Sequence, residues 1–327
     1  MKHHRRTFLQ AAAISALQLR AQPSAAPAPI VQTRELNIAY EDNGDRQGFP
    51  IILLHGFPDD VRAFDGVVPP LVAAGHRVLV PYLRGYGPTR FRNASIPRRA
   101  EQAAIGQDVL DFANALALPR VAVGGFDWGG RAAAIAAALF PDRVRALVLC
   151  GGYTIQNTIA PAQPGPPAVE RELWYQWYFN LERGREGLTK NRRALCRLLW
   201  ETWSPGWHFT EETYSRTAPS FDNPDFVDVV IHSYRHRVGN APGEARFAAT
   251  EAQLAQRPPI TVPSIVLYGA DDGVVRPAAT ASDAERAVFA DLVARRVVPG
   301  VGHFMPREAP AEMSSALLQL LTTTRAV

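Results

Sequence analysis

The sequence predicts an α/β fold: a mostly parallel, doubly wound sheet with helices on both faces and a helical cap inserted into it. Three observations carry that expectation. Short apolar, β-branched runs alternate with segments of helical period along much of the chain. One run, residues 121–124, enters a glycine-flanked turn and then an alanine-rich helix. Between about residues 152 and 259 the strands vanish, and Trp174, Trp177, Trp200, Trp203 and Trp207 gather.

The elements follow in order. Residues 31–41 have the pattern of edge strands, closed by a polar turn at Asn43-Gly44. Residues 50–54 are apolar throughout, as a strand buried on both faces must be. Residues 60–74 carry helical spacing and 77–80 the next strand. Residues 96–118 are expected to be one helix, with Pro97 tolerated near its start. Residues 120–124 and 144–150 are further core strands. A proline-rich hinge at 161–167 opens the insertion, whose helices are expected at 170–186, 189–203 and 225–237. The sheet resumes at Thr261, and no internal repeat appears. This gives a core of residues 31–152 plus 260–327, a cap of 153–259, and a separate leader of 1–30.

Composition narrows the function. At 327 residues the chain holds one large core plus a lid. The formal charge is +4, and arginine dominates the basic residues, since Lys2 and Lys190 are the only lysines. No basic stripe interleaved with aromatics occurs, so a nucleic-acid partner is not expected. Lys190, Arg192, Arg193 and Arg197 have the spacing of a solvated helix face. Cys150 and Cys196 offer neither a disulfide framework nor metal-ligand spacing, and no cofactor or metal is expected. At the N-terminus, Arg5-Arg6-Thr7-Phe8-Leu9 precedes a modest apolar run and an Ala/Pro-rich stretch. That order resembles a twin-arginine export signal, which implies contact with export machinery and a periplasmic or secreted destination. The run is too short for a permanent membrane span.

The chemistry centres on Asp127, at the tip of the turn between Gly125 and Gly129. Alone, such an aspartate is an ordinary helix N-cap. Two further features argue for more. A strand runs into the acidic turn Asp271-Asp272, and a later Gly/Pro turn carries His303. A carboxylate nucleophile suits a saturated carbon bearing a leaving group. It forms an alkyl ester that water reopens at the enzyme's own carbonyl, whereas a serine would form an inert ether. The second step needs a general base and an oxyanion hole.

Together these residues resemble the α/β-hydrolase superfamily, in the branch of epoxide hydrolases and haloalkane and haloacid dehalogenases. The resemblance spans roughly residues 31–322 and implies an eight-stranded α/β-hydrolase sheet. Phe126-Asp127-Trp128-Gly129 matches the branch's nucleophile turn. His55-Gly56-Phe57-Pro58 matches its HGxP loop, usually with a cis bond before proline, and Arg84-Gly85-Tyr86-Gly87 resembles the loop after the fourth strand. The resemblance implies Asp127 as nucleophile, His303 as base and Asp272, three residues after Gly269, as the acid in preference to Asp271. It implies the backbone amides of Phe57 and Trp128 as the oxyanion hole.

Within the branch, Tyr175-Gln176-Trp177-Tyr178-Phe179 and Tyr234-Arg235 are similar to the two cap motifs of epoxide hydrolases. Their lead tyrosines, Tyr175 and Tyr234, would hold and protonate the epoxide oxygen, with Phe57, Gln176 and Trp177 against the substrate. A phenol of pKa near ~10 is a suitable acid for an alkoxide. The expected substrate is a small apolar epoxide. The alternative is a dehalogenase using the same triad, with Trp128 and Trp177 holding halide. Gln176 and Phe57 depart from residues common in dehalogenases. A remote alternative is a ligand-binding protein that keeps the fold without the chemistry. Arg131, one helical turn after Asp127, is expected in a structural ion pair.

Overall fold

The computed structural model describes residues 28–160 and 163–323. The arginine-pair segment and Pro161 lie outside the described residues.

Among the described residues nine strands form one sheet. They are β1 (Ile30–Gln32), β2 (Leu36–Asn43), β3 (Pro50–Leu54), β4 (Arg77–Pro81), β5 (Arg90–Phe91), β6 (Val121–Phe126), β7 (Val144–Cys150), β8 (Ser264–Gly269) and β9 (Leu292–Val298). The spatial order is β1-β2-β4-β3-β6-β7-β8-β9, with β5 pairing to β2. The main path therefore holds the expected strands, and β5 is an additional two-residue piece too short to leave a sequence signal. From β4 through β3 to β9 every pairing is parallel. β1 and β2 pair antiparallel at the edge. The central strands β6 and β8 are buried along their whole length, in keeping with their mostly apolar or glycine composition, and Ser264 in β8 satisfies its hydroxyl on the Val262 carbonyl.

Helices cover both faces. Gln102–Ala115 packs on Asp127–Leu139 as one layer, while Val68–Ala73 pairs with Pro310–Thr323 as the other. The first of these is shorter than the pattern of residues 96–118 predicts. Its missing first turn is held in an irregular path by tertiary bonds. Arg98 donates to the Ile96 carbonyl, Arg84 to the Arg99 carbonyl, and the Ala100 amide to His232. Ile96, preceding Pro97, is also disfavoured in helical geometry.

Between β7 and β8 the chain is helical, as expected, but with different boundaries. Pro167–Glu172, Trp174–Asn180 and a long Glu182–Trp203 replace the two helices expected at 170–186 and 189–203. The break falls at Leu181, which is extended (φ −94°, ψ 153°), and where a gap is expected at 187–188 the helix runs on, kinking at Asn191. Phe226–His236 lies where expected; Glu211–Thr217 and Ala248–Ala255 are additional. Two sets of bonds fasten this insertion to the core. Trp200 Nε1 donates to the Pro58 carbonyl at 2.7 Å. Ser220 and Thr217 hydroxyls donate to buried Asp60 at 2.6 and 3.0 Å. The basic face at 190–197 is largely exposed and paired with surface acids such as Glu186 and Asp222. No helix among the described residues is long and apolar enough to cross a membrane.

Candidate active site

The C-terminal ends of four parallel strands bring the sequence-predicted residues together. Open parallel sheets bind ligands at this edge. β6 ends at Asp127, β3 at the His55–Asp60 loop, β8 at Asp272, and the turn after β9 at His303. The site therefore draws on the most strongly patterned segments of the chain.

Asp127 is the first residue of helix Asp127–Leu139 and has φ +49°, a left-handed conformation uncommon outside glycine, which aspartate tolerates better than most side chains. Its surroundings are glycine by necessity. A Cβ at Gly56 would lie 2.5 Å from Asp127 Cβ, and one at Gly129 would lie 2.1 Å from the Leu54 carbonyl oxygen. The aspartate does not cap the helix; the Phe57 amide instead donates to its Oδ1 at 2.8 Å. The Phe57–Pro58 bond is cis.

His303 joins both carboxylates. Its Nδ1 lies 3.1 Å from each oxygen of Asp272, and its Nε2 lies 3.7 Å from Asp127 Oδ2. The second contact is too long for a hydrogen bond, so it acts through charge. Asp272 is itself fixed by the amides of Val274 and Val275, at 2.7 and 2.9 Å. Asp271 takes no part in these contacts. Burial alone would lower the His303 pKa, but the charge of Asp272 and the proximity of Asp127 raise it to about 10. Burial likewise opposes ionisation of Asp127, yet His303, Arg237 and the Phe57 amide together hold its pKa below the ordinary value. These shifts favour an ionised Asp127 carboxylate beside a protonated His303 imidazole.

This arrangement has a pH consequence. His303 gains a proton affinity on folding that the unfolded chain lacks. Its stabilising contribution is complete below pH 6.5 and is lost as pH rises through about 10. The thermal midpoint of the wild-type protein should fall between pH 7 and pH 10 more steeply than that of His303→Gln. Parallel melting curves across that range check it.

Aromatic side chains roof the site. Phe57 stacks on Trp128 with centroids 5.6 Å apart and meets Tyr234 edge-on at 5.5 Å. Trp203 packs edge-on to His303 at 5.1 Å and against Tyr175 at 4.8 Å. Tyr175 and Tyr234 are buried, with ring centroids 5.5 Å apart. Burial raises the pKa of both, and in each the charge of Asp127 adds to the rise. Gln176 Nε2 donates to the Tyr175 hydroxyl at 3.3 Å. The Trp128 indole nitrogen faces the Tyr234 hydroxyl without completing a hydrogen bond.

A cavity of about 270 Å³ opens here, lined by Asp127, His303, Tyr175, Gln176, Arg131 and Arg237 among others. Phe57 and Tyr234 do not line it; both belong to the aromatic cluster beside it. Trp177 is not brought to it. That residue is 39% exposed, because Tyr175 and Phe179, one turn apart, take the inward face of helix Trp174–Asn180. The ion pair expected for Arg131 is also absent among the described residues. Its Nε donates only to the Thr154 carbonyl, at 2.8 Å. Arg237, unmarked in the sequence reading, lies one turn after Tyr234, with its guanidinium 4.4 Å from that ring.

A profile of the alpha/beta hydrolase fold family matches residues 50–310. The chain belongs to the α/β-hydrolase family. This hydrolase is similar to a Klebsiella pneumoniae protein with a provisional epoxide-hydrolase designation. The two are 42% identical, with a TM-score of 0.87 over 90% of this chain and 96% of that one. Epoxide hydrolase A of Mycobacterium tuberculosis is 25% identical, over 90% of this hydrolase and 96% of that protein. A haloalkane dehalogenase of Mycolicibacterium paratuberculosis is 36% identical over 40% of this chain and 43% of its own length. The α/β hydrolase thus resembles epoxide hydrolases along nearly its whole length and that dehalogenase over a shorter stretch.

Proposed function

We propose that this α/β hydrolase opens epoxides to vicinal diols through an alkyl ester on Asp127. The helical insertion between β7 and β8 serves as the cap. Asp127 attacks an oxirane carbon while Tyr175 and Tyr234 hold the ring oxygen and protonate it as the C–O bond breaks. An alkoxide is a far stronger base than a phenolate, so even a phenol weakened by burial delivers its proton. Esterification removes the charge of Asp127, one of the two carboxylates that keep His303 protonated. The imidazole then passes its proton, through solvent, to the phenolate left by ring opening, and as a free base activates water against the ester carbonyl. The Phe57 and Trp128 amides receive the oxyanion. Asp272 keeps the imidazole oriented through Nδ1.

The observation that carries the epoxide reading is the pair of buried phenols packed together beside the nucleophile. A halide needs N–H donors instead. The unpartnered Trp128 indole favours dehalogenation as a second reading, but Trp177 faces solvent and leaves it without the other expected indole.

Single turnover of an accepted epoxide in heavy-oxygen water tests the mechanism. The first diol should be unlabelled and the isotope should enter Asp127. Label in that diol with none in the protein would rule the ester out. A parallel panel of epoxides and organohalides, scored for diol and for halide, separates the two readings.

A further inference from the structure

A third set of bonds joins the insertion to the core, and it falls on the loops that carry His303 and Asp272. The last carbonyls of a helix have no partner within it. At the end of helix Glu182–Trp203 the Trp203 carbonyl accepts instead from two core amides, that of Gly273 at 2.9 Å and that of His303 at 3.2 Å. The next residue, Ser204, is fully buried. Its hydroxyl accepts from the His303 amide at 2.8 Å and the Phe304 amide at 3.2 Å, and donates to Glu308 Oε1 at 2.6 Å. Glu308 returns to the same loop, accepting from the amides of Gly302 and Phe304 at 2.8 and 3.0 Å. The approach is close. A Cβ at Gly302 would lie 2.4 Å from Ser204 Oγ, and one at Gly273 would lie 2.4 Å from the Thr202 carbonyl oxygen.

The His303 ring depends on this support. Asp272 holds its Nδ1, while its Nε2 completes no hydrogen bond among the described residues. A ring tethered at one end takes the rest of its orientation from its backbone. The His303 amide is shared between the Ser204 hydroxyl and the Trp203 carbonyl. Without the hydroxyl it keeps only the longer bond, to a carbonyl that Gly273 also uses. Glu308, which is half-buried, would lose a donor as well, and such a loss is costly away from water.

We infer that Ser204 is a positioning residue for His303, hanging its loop from the end of an insertion helix so that the imidazole meets the water that hydrolyses the ester. This rests on the ester chemistry proposed above. The role bears on one half-reaction. Attack on the epoxide uses the Asp127 carboxylate and the phenols, to which Ser204 makes no hydrogen bond among the described residues. Hydrolysis uses the imidazole, and a displacement of ~1 Å in a positioned group costs on the order of 10²-fold.

Single-turnover kinetics of Ser204→Ala test the role. Its ester should hydrolyse at least ~10-fold more slowly than that of the wild type while alkylation stays within ~2-fold, so the adduct accumulates. Asn223→Ala is the comparison. It removes other buried bonds from the insertion to the core, those to the Gly87 and Thr89 carbonyls at 3.1 and 2.7 Å. It should lower the thermal midpoint without changing the ratio of the two rates. An unchanged hydrolysis rate in Ser204→Ala, an equal fall of both rates, or the same changed ratio in Asn223→Ala would overturn the positioning role. Glu308→Gln sets an amide donor against the Gly302 or Phe304 amide. It should slow hydrolysis selectively too, and it decides the matter if Ser204→Ala does not fold. A further readout needs no substrate. The proton between His303 Nδ1 and Asp272 should give a downfield NMR signal that is absent from His303→Gln. In Ser204→Ala that signal should broaden and be lost to exchange with water; a signal as sharp as that of the wild type would overturn the role. Loss of the signal in a protein that turns over no epoxide would instead uphold the role of Ser204 and count against the epoxide reading.

Discussion

Mixed with excess epoxide, the His303→Gln protein is expected to gain the mass of one substrate molecule on Asp127 and then stop. The two half-reactions make different demands. Ester formation needs the ionised carboxylate, which the Phe57 amide already holds at 2.8 Å, and an acid for the departing oxygen. Ester hydrolysis needs a base near the ester carbonyl, and the His303 Nε2, 3.7 Å from Asp127 Oδ2, is the group so placed. Glutamine fills similar space but cannot accept the proton from water. Loss of a positioned base costs on the order of 10²–10⁴ in rate. The ester should therefore persist long enough for intact mass measurement, and peptide mapping should locate it at residue 127. Asp127→Ala should form no adduct and turn nothing over. Steady turnover by His303→Gln at the wild-type rate, or an adduct on another residue, would remove His303 from the proposed mechanism.

The convergence of Asp127, Asp272 and His303 was legible because each sits where a strongly patterned strand meets a glycine turn. Those strand ends form one edge of a parallel sheet, so residues scattered between positions 127 and 303 had to converge. The insertion was less legible, for two physical reasons. One helix break carries neither glycine nor proline: Leu181 turns the chain with an ordinary side chain, so no composition signal marks it. Its inward faces depend on helical phase. Tyr175 and Trp177 are two residues apart on one helix and cannot both face the cavity, a constraint the Tyr175/Phe179 spacing already contained. Arg237 escaped notice because nothing in sequence separates a cavity arginine from a solvated one. What distinguishes it is its place on the cavity wall with no salt bridge among the described residues, which only the packed chain reveals.

Replacing both cap phenols, Tyr175→Phe with Tyr234→Phe, should abolish epoxide opening while leaving the fold intact. The rings are packing elements in their own right. Tyr175 lies 4.8 Å from Trp203 and Tyr234 5.5 Å from Phe57, and phenylalanine preserves both contacts. The hydroxyl groups carry few structural bonds; that of Tyr175 receives one, from Gln176 at 3.3 Å. Stability should therefore change by less than about 1 kcal/mol per hydroxyl. Without either phenol the ring oxygen must leave as a free alkoxide, with no phenol placed to protonate it. The expected cost is on the order of 10²–10⁴ in the alkylation rate. Each single variant should retain part of that rate, since the other phenol still donates. Stopped-flow fluorescence suits the measurement, because Trp128 lies 5.8 Å from the Tyr234 ring and flanks the reacting carboxylate. Hydrolysis of an ester already formed should proceed at the wild-type rate in all three variants, for its base and oxyanion donors are untouched. Halide release from any organohalide the enzyme accepts should also survive, since halide departs without a proton. A double variant that alkylates at the wild-type rate would strip the phenols of their role and shift the balance toward the Trp128 indole and a halide leaving group.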